Sequence, residues 1–243
     1  MEVAMNKRSS VSLSDILPRD LPALLTEHSR LGMGYDVATT TRERSNPSSI
    51  TLIEQVGLNY FTRLIMRWKS SDPEISRAVI TGVLMLIAPR KPVAFCIDAS
   101  NEKYFAAQLK KDLASLVRTE LIVSGEATQY LGEKMSFKVY LGNLLVNTME
   151  EGRLSLPDEL WVKNDFRLVK RSGGSFETEV DEAGNHGDTF DSTKLALHAL
   201  SCGGGPVEAV AATVGRLSSG TESGRILLNP YARHYEKGDR TLC

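Results

Sequence analysis

The order of the apolar runs constrains this chain more than any single motif. Runs of strand length follow one another at about 32–38, 50–57 and 60–68, separated by a polar loop at 39–49 and by Gly57-Leu58-Asn59. They read as a three-stranded antiparallel meander. The pattern then changes: residues 74–87 carry Ile75, Val79, Val83 and Leu86 at helical spacing, with Asp72 placed to cap and Pro73 suited to the first helical position. An apolar strand over 92–98, an amphipathic helix over 101–116, a short strand over 120–124 and a long helix over about 133–150 follow. A meander followed by this alternation predicts an α/β mixed sheet, antiparallel first and then parallel, with crossover helices on its faces.

This order matches the ribonuclease H-like architecture, in which the first strand is central and the strand after the first helix lies beside it. The remainder holds an extended piece at 154–157, a helix over 158–169 with Trp161 and Phe166, a basic Gly-rich turn at 170–174, a strand-like run over 175–180, and a helix from Asp188 to about Leu200. The expected organisation is a lead-in arm (1–31), the ribonuclease H-like domain (32–203) and a Gly/Ser-rich appendage (204–243).

Composition removes several classes. Hydrophobic residues at 42% and charged residues at 24% of 243 positions suit a folded domain and not a disordered chain. The longest apolar stretch, 78–88, is too short to cross a bilayer, and the amino terminus lacks the apolar segment of a secretory signal. Cys96, Cys202 and Cys243 have neither zinc-ligand nor CxxC spacing. A cytoplasmic protein is expected. No phosphate-binding Gly-x-x-x-x-Gly-Lys loop and no Gly-x-Ser-x-Gly elbow occurs, which argues against P-loop ATP binding and a covalent serine mechanism.

Three aspartates stand where strands end or a helix begins. Asp36 closes Gly32-Met33-Gly34-Tyr35-Asp36, Asp98 closes the 92–98 strand, and Asp188 opens the last apolar helix after Asn185-His186-Gly187. Carboxylates at the ends of neighbouring strands converge, and hard divalent cations prefer such oxygen ligands. Phosphodiester hydrolysis needs those cations, because water is a poor nucleophile and the diester is a shielded anion. Asp36, Asp98 and Asp188 are therefore the candidate catalytic and metal-holding set, with Asp36 as the bridge. An aspartate at a strand end also serves simply as a turn former, and Asp188 could act as the N-cap of a helix starting at Thr189, with Asp191 at N3. With a net charge of −1, attraction to DNA must come from local patches. Arg42, Arg44, Lys134, Lys138, Lys170 and Arg171 are the candidate phosphate contacts.

Gly34-Tyr35-Asp36, Phe95-Cys96-Ile97-Asp98-Ala99-Ser100-Asn101 and the stretch from His186-Gly187-Asp188 into an Ala/Leu-rich helix resemble the acidic motifs of the large terminase subunit's nuclease domain, from the DNA-packaging motor of tailed bacteriophages and prophages. The resemblance covers roughly residues 32–202. It implies a metal-dependent endonuclease that cuts double-stranded viral DNA in the host cytoplasm with two Mg²⁺ or Mn²⁺ ions. An ATPase motor domain or subunit, the small terminase subunit and the portal would be its partners. Many relatives carry a further acidic residue before the second strand, where this chain has Asn46; Glu43, Glu54 and Asp191 are the alternatives for a fourth ligand. Two other readings stand beside it: another nuclease of the same fold, such as a junction resolvase or ribonuclease H, and an inactive docking module.

Overall fold

A computed structural model describes residues 2–3, 16–39, 46–130, 132–182 and 184–202. Arg42, Glu43, Arg44 and the expected appendage at 204–243 lie outside the described residues. The first half comprises β1 (Glu2–Val3), β2 (Arg30–Asp36), β3 (Ser48–Val56), β4 (Asn59–Trp68), α1 (Pro73–Leu86), β5 (Ala94–Asp98), α2 (Lys103–Asp112) and β6 (Thr119–Ile122). The second comprises β7 (Ala127–Tyr130), β8 (Glu133–Ser136), α3 (Phe137–Glu150), β9 (Leu154–Ser155), α4 (Leu160–Arg167), β10 (Val169–Ser172), β11 (Ser175–Thr178) and α5 (Asp188–Cys202).

The main sheet runs in the order β1-β4-β3-β2-β5-β6, with β9 also paired to β4. β2, β3 and β4 form the antiparallel meander, and β5 and β6 add in parallel on the other side of β2. The mixed sheet with a central first strand is the expected architecture. Side chains alternate across a strand, so each strand serves two layers. Leu31, Met33, Tyr35, Phe95 and Ile97 enter the larger core with Val79, Ile80 and Val83 of α1 and Ala106 and Leu109 of α2. On the opposite face Ala94 and Cys96 meet Leu141, Leu195 and Ala199, while Ile53 meets Leu145, Ala196 and Leu200. Tyr35 belongs to the core: its ring stacks on Trp68 at 5.7 Å between centroids, and its hydroxyl lies 3.0 Å from Ser48 Oγ. Burial pushes its pKa up to about 12.

Along the α5 side of β2 stand Gly32 and Gly34. A methyl group at Gly34 would run into the Ser192 carbonyl and the Ala196 nitrogen, and one at Gly32 into the Ala196 carbonyl and the Leu200 side chain. The helix therefore rests its backbone on the central strand, closer than any side chain would permit. Hydroxyls secure the neighbouring strand: Ser192 Oγ lies 2.8 Å from both Ser49 Oγ and Thr51 Oγ1. These groups are buried, and their mutual hydrogen bonds offset the loss of water.

The sequence reading departs from the structure at β1, at β10, which takes in part of the turn expected at 170–174, and before α3. The helix expected over about 133–150 begins only at Phe137, where Ser136 Oγ accepts from the Val139 N–H at 3.3 Å. The residues before it form the hairpin β7–β8. Its strands bury no continuous apolar face, so no alternation marked them, and the turn depends on Gly132 at φ +85°.

Gly34→Ala is expected to destabilise the protein by about 3 kcal/mol or more, the upper part of the overpacking range, because the obstructing atoms are backbone. Gly125→Ala, where nothing lies within 4 Å, should shift stability by less than about 0.5 kcal/mol. Denaturant unfolding of both variants checks this, and equal stabilities would refute the close approach.

Candidate active site

The pairing of β2 with β5 sets Gly34 against Cys96 and Tyr35 against Ile97, so the next residues, Asp36 and Asp98, end adjacent strands about 4.8 Å apart. By the same alternation Asp36 lies on the face of Gly32 and Gly34, and Asp98 on the face of Ala94 and Cys96. That is the face α5 covers. On α5, Asp188, Asp191 and Lys194 recur every third residue and share one side of the helix. The side chain of Asp98 is oriented by its own turn, its Oδ1 accepting from the Ser100 N–H at 2.8 Å.

These groups sense one another strongly. Burial pushes the Asp36 carboxyl well above its ordinary value, and the negative charges of Asp191, Asp188 and Asp98 push it further. Burial, with the charges of Asp165 and Asp191, pushes Asp188 up to about 7. Asp188 is 2% exposed, and its Oδ2 has no hydrogen-bond partner among the described residues. Burial by itself would lower the pKa of Lys194, but Asp191, Asp36 and Asp98 outweigh it and hold the ammonium above its usual range. Lys194 Nζ lies 2.5 Å from Asp191 Oδ1. Four carboxylates and one ammonium thus form one electrostatic unit, although no three His, Cys, Asp or Glu among the described residues stand as a finished metal cage.

The start of α5 is held from outside. Asp188 is its first residue and does not cap it; the Thr189 N–H and hydroxyl both donate to Asp165 Oδ2 on α4, the N–H at 2.8 Å. Burial raises the pKa of Asp165, and the Thr189 bonds offset part of that. Arg67 Nη1 stands 3.7 Å from Asp165 Oδ1 and donates to Asn185 Oδ1 at 3.2 Å, while its guanidinium lies 4.8 Å from the Trp161 ring centre. Gly187 turns the chain into the helix at φ +77°, which an L-residue with a side chain adopts only under strain.

Of the residues singled out in the sequence, Asp98 and Asp188 lie near enough to Asp36 for their charges to act on it. Asp191 joins them as the fourth carboxylate, and Glu54 does not: it pairs in register with Leu31 at the far end of β2, where Arg63 binds it at 2.7 Å. Lys134 and Arg171 are exposed on β8 and β10, Lys138 lies in the first turn of α3, and Lys170 is engaged by Glu179 Oε1 at 2.5 Å. Lys194, Asp165 and Arg67 went unread. The three-residue spacing from Asp188 to Lys194, a charge inside an apolar helix face, was the available signal for the lysine. Asp165 and Arg67 carry no such local mark.

Among solved structures, the fold is similar to the large terminase nuclease of the thermophilic phage G20c, at 15% identity and a TM-score of 0.54, over 72% of this chain and 84% of that one. It is also similar to the large terminase of another thermophilic bacteriophage, at 11% identity and a TM-score of 0.50, over 76% of this chain. The chain spans 44% of that second protein. The chain therefore has the ribonuclease H-like fold of large-terminase nuclease domains. No family model matches the sequence, and no curated protein matches it.

The raised carboxyls carry a pH signature. Because Asp188 moves from 3.8 to about 7, the folded state holds its proton more tightly than the unfolded chain, and that contribution is lost as pH rises through this window. Asp36 acts with the same sign. In metal-free buffer the melting temperature should fall between about pH 4 and about pH 7, and the fall should be shallower in Asp188→Asn. A thermal melt series checks this; identical slopes in both proteins would contradict the assignment.

Proposed function

We propose that this chain is a metal-dependent endonuclease of double-stranded DNA and that it serves viral genome packaging as the nuclease of a large terminase. The observation that carries the reading is that Asp98, Asp188 and Asp191 all act on Asp36 at one end of a ribonuclease H-like sheet, with Asp188 Oδ2 buried and without a partner among the described residues. Carboxylates crowded until two of them resist ionisation are a ready seat for a cation. The donors are all hard oxygens, which suit Mg²⁺ or Mn²⁺.

When bound, a divalent ion supplies an activated water and neutralises charge on the phosphate. In the hydrolysis, the water oxygen bonds to phosphorus and gives up a proton, while one ester oxygen departs with its bonding electrons and is protonated. The chain contributes position. Asp36 and Asp98 come from paired strands, and Asp188 and Asp191 from a helix packed directly on the glycines beneath it, so the cluster is organised before substrate arrives. Exposed cations such as Lys134 and Arg171 could then hold DNA phosphates without reading sequence. The chain has no P-loop, so in a packaging motor an ATPase domain or subunit would supply the work, with the small terminase subunit and the portal as further partners.

A plasmid-nicking assay tests the reading. Supercoiled duplex should be nicked and linearised with Mg²⁺ or Mn²⁺ and left intact with chelator. Asp36→Asn and Asp98→Ala should each reduce cleavage at least about 100-fold, the upper bound for loss of an outer-sphere metal contact. Preference for four-way junctions or RNA–DNA hybrids would favour a resolvase or ribonuclease H. Absence of metal-dependent cleavage in every form would leave the docking module.

A further inference from the structure

We propose that the Lys194 ammonium takes the place of one of the two metal ions expected at this site, so that the cluster binds a single divalent cation per chain beside a fixed protein charge. This rests on the metal-dependent nuclease reading and concerns the composition of the same site.

A lysine at a helix position facing a core is costly unless its charge is paired. Lys194 meets that condition within the cluster. Its side chain is 6% exposed, its Nζ is 2.5 Å from Asp191 Oδ1, and it passes Phe190 with the nitrogen 6.0 Å from the ring centre. The residues around it on α5, Thr193, Leu195 and Ala196, are buried as well. An ordinary surface pair three residues apart lies in water and is worth little. Here the lysine is buried while Asp191 is 33% exposed, and the ammonium's charge acts on Asp36 and Asp98, on two different strands, as well as on its helical neighbour. A compact cation hydrogen-bonded to Asp191 and acting across the strand ends occupies what a second ion would need: the Asp191 oxygen and the space between α5 and the sheet. Asp188, one turn before Asp191 on the same helix side, keeps an Oδ2 with no hydrogen-bond partner among the described residues and is left for a single ion. An ammonium can stabilise negative charge on a phosphate but cannot acidify a bound water as a divalent ion does, so the two positive centres would have unequal tasks.

The test is a count of Mn²⁺ bound to the full chain, by calorimetric titration and by electron paramagnetic resonance. The wild type should bind one ion per chain, with the spectrum of an isolated ion. Lys194→Met, which keeps the stem and removes the charge, should bind two, with the magnetic coupling of ions about 3.5–4 Å apart. Lys194→Arg should still bind one. Should Lys194→Met not fold, Lys194→Gln takes its place with the same expected gain. Two coupled ions on the wild type, or one ion on both wild type and Lys194→Met, would overturn the inference and leave the metal-dependent reading intact. No ion on the wild type would overturn both.

Discussion

The contact between α5 and β2 is the constraint on which the rest depends. Two glycines floor the central strand, and the helix lies with its carbonyls and amides where Cβ atoms would otherwise stand. That approach joins the two layers on this side of the sheet and sets Asp188 and Asp191 above Asp36. The hydroxyls of Ser49, Thr51 and Ser192 secure the same helix to the next strand. A bulkier floor would lift the helix and separate the carboxylates, so packing and chemistry share one determinant.

The cost of this arrangement is electrostatic. Asp191, Asp36 and Asp98 act on one ammonium, and burial with mutual repulsion raises the pKa of Asp36 and Asp188. Folding free energy from the two apolar cores bears that cost, as is common where a site is assembled before its ligand arrives. The network of Asp165, Thr189, Arg67, Asn185 and Trp161 braces the crowded helix start.

Much of the fold was legible because it follows local periodicity. The runs at 32–38, 50–57 and 60–68 became β2, β3 and β4, and Asp72 caps α1 through the Glu74 N–H at 2.9 Å as its position before Pro73 suggested. Strand order came from chain order, because crossover connections leave few alternatives. The hairpin β7–β8 was not legible, since its residues bury no face and so leave no alternation to read.

The sequence by itself determined which residues end each strand, and hence that Asp36 and Asp98 would stand side by side. It did so because alternation and strand order are properties of the chain read in one dimension. Only the tertiary structure decided which carboxylates share a field with them, that Glu54 is spent on Arg63 at the other end of the sheet, and that Lys194 points into the cluster. Those outcomes depend on where α5 lands and how closely it lies. That distance is set by contacts between residues more than 140 positions apart, which no local pattern records.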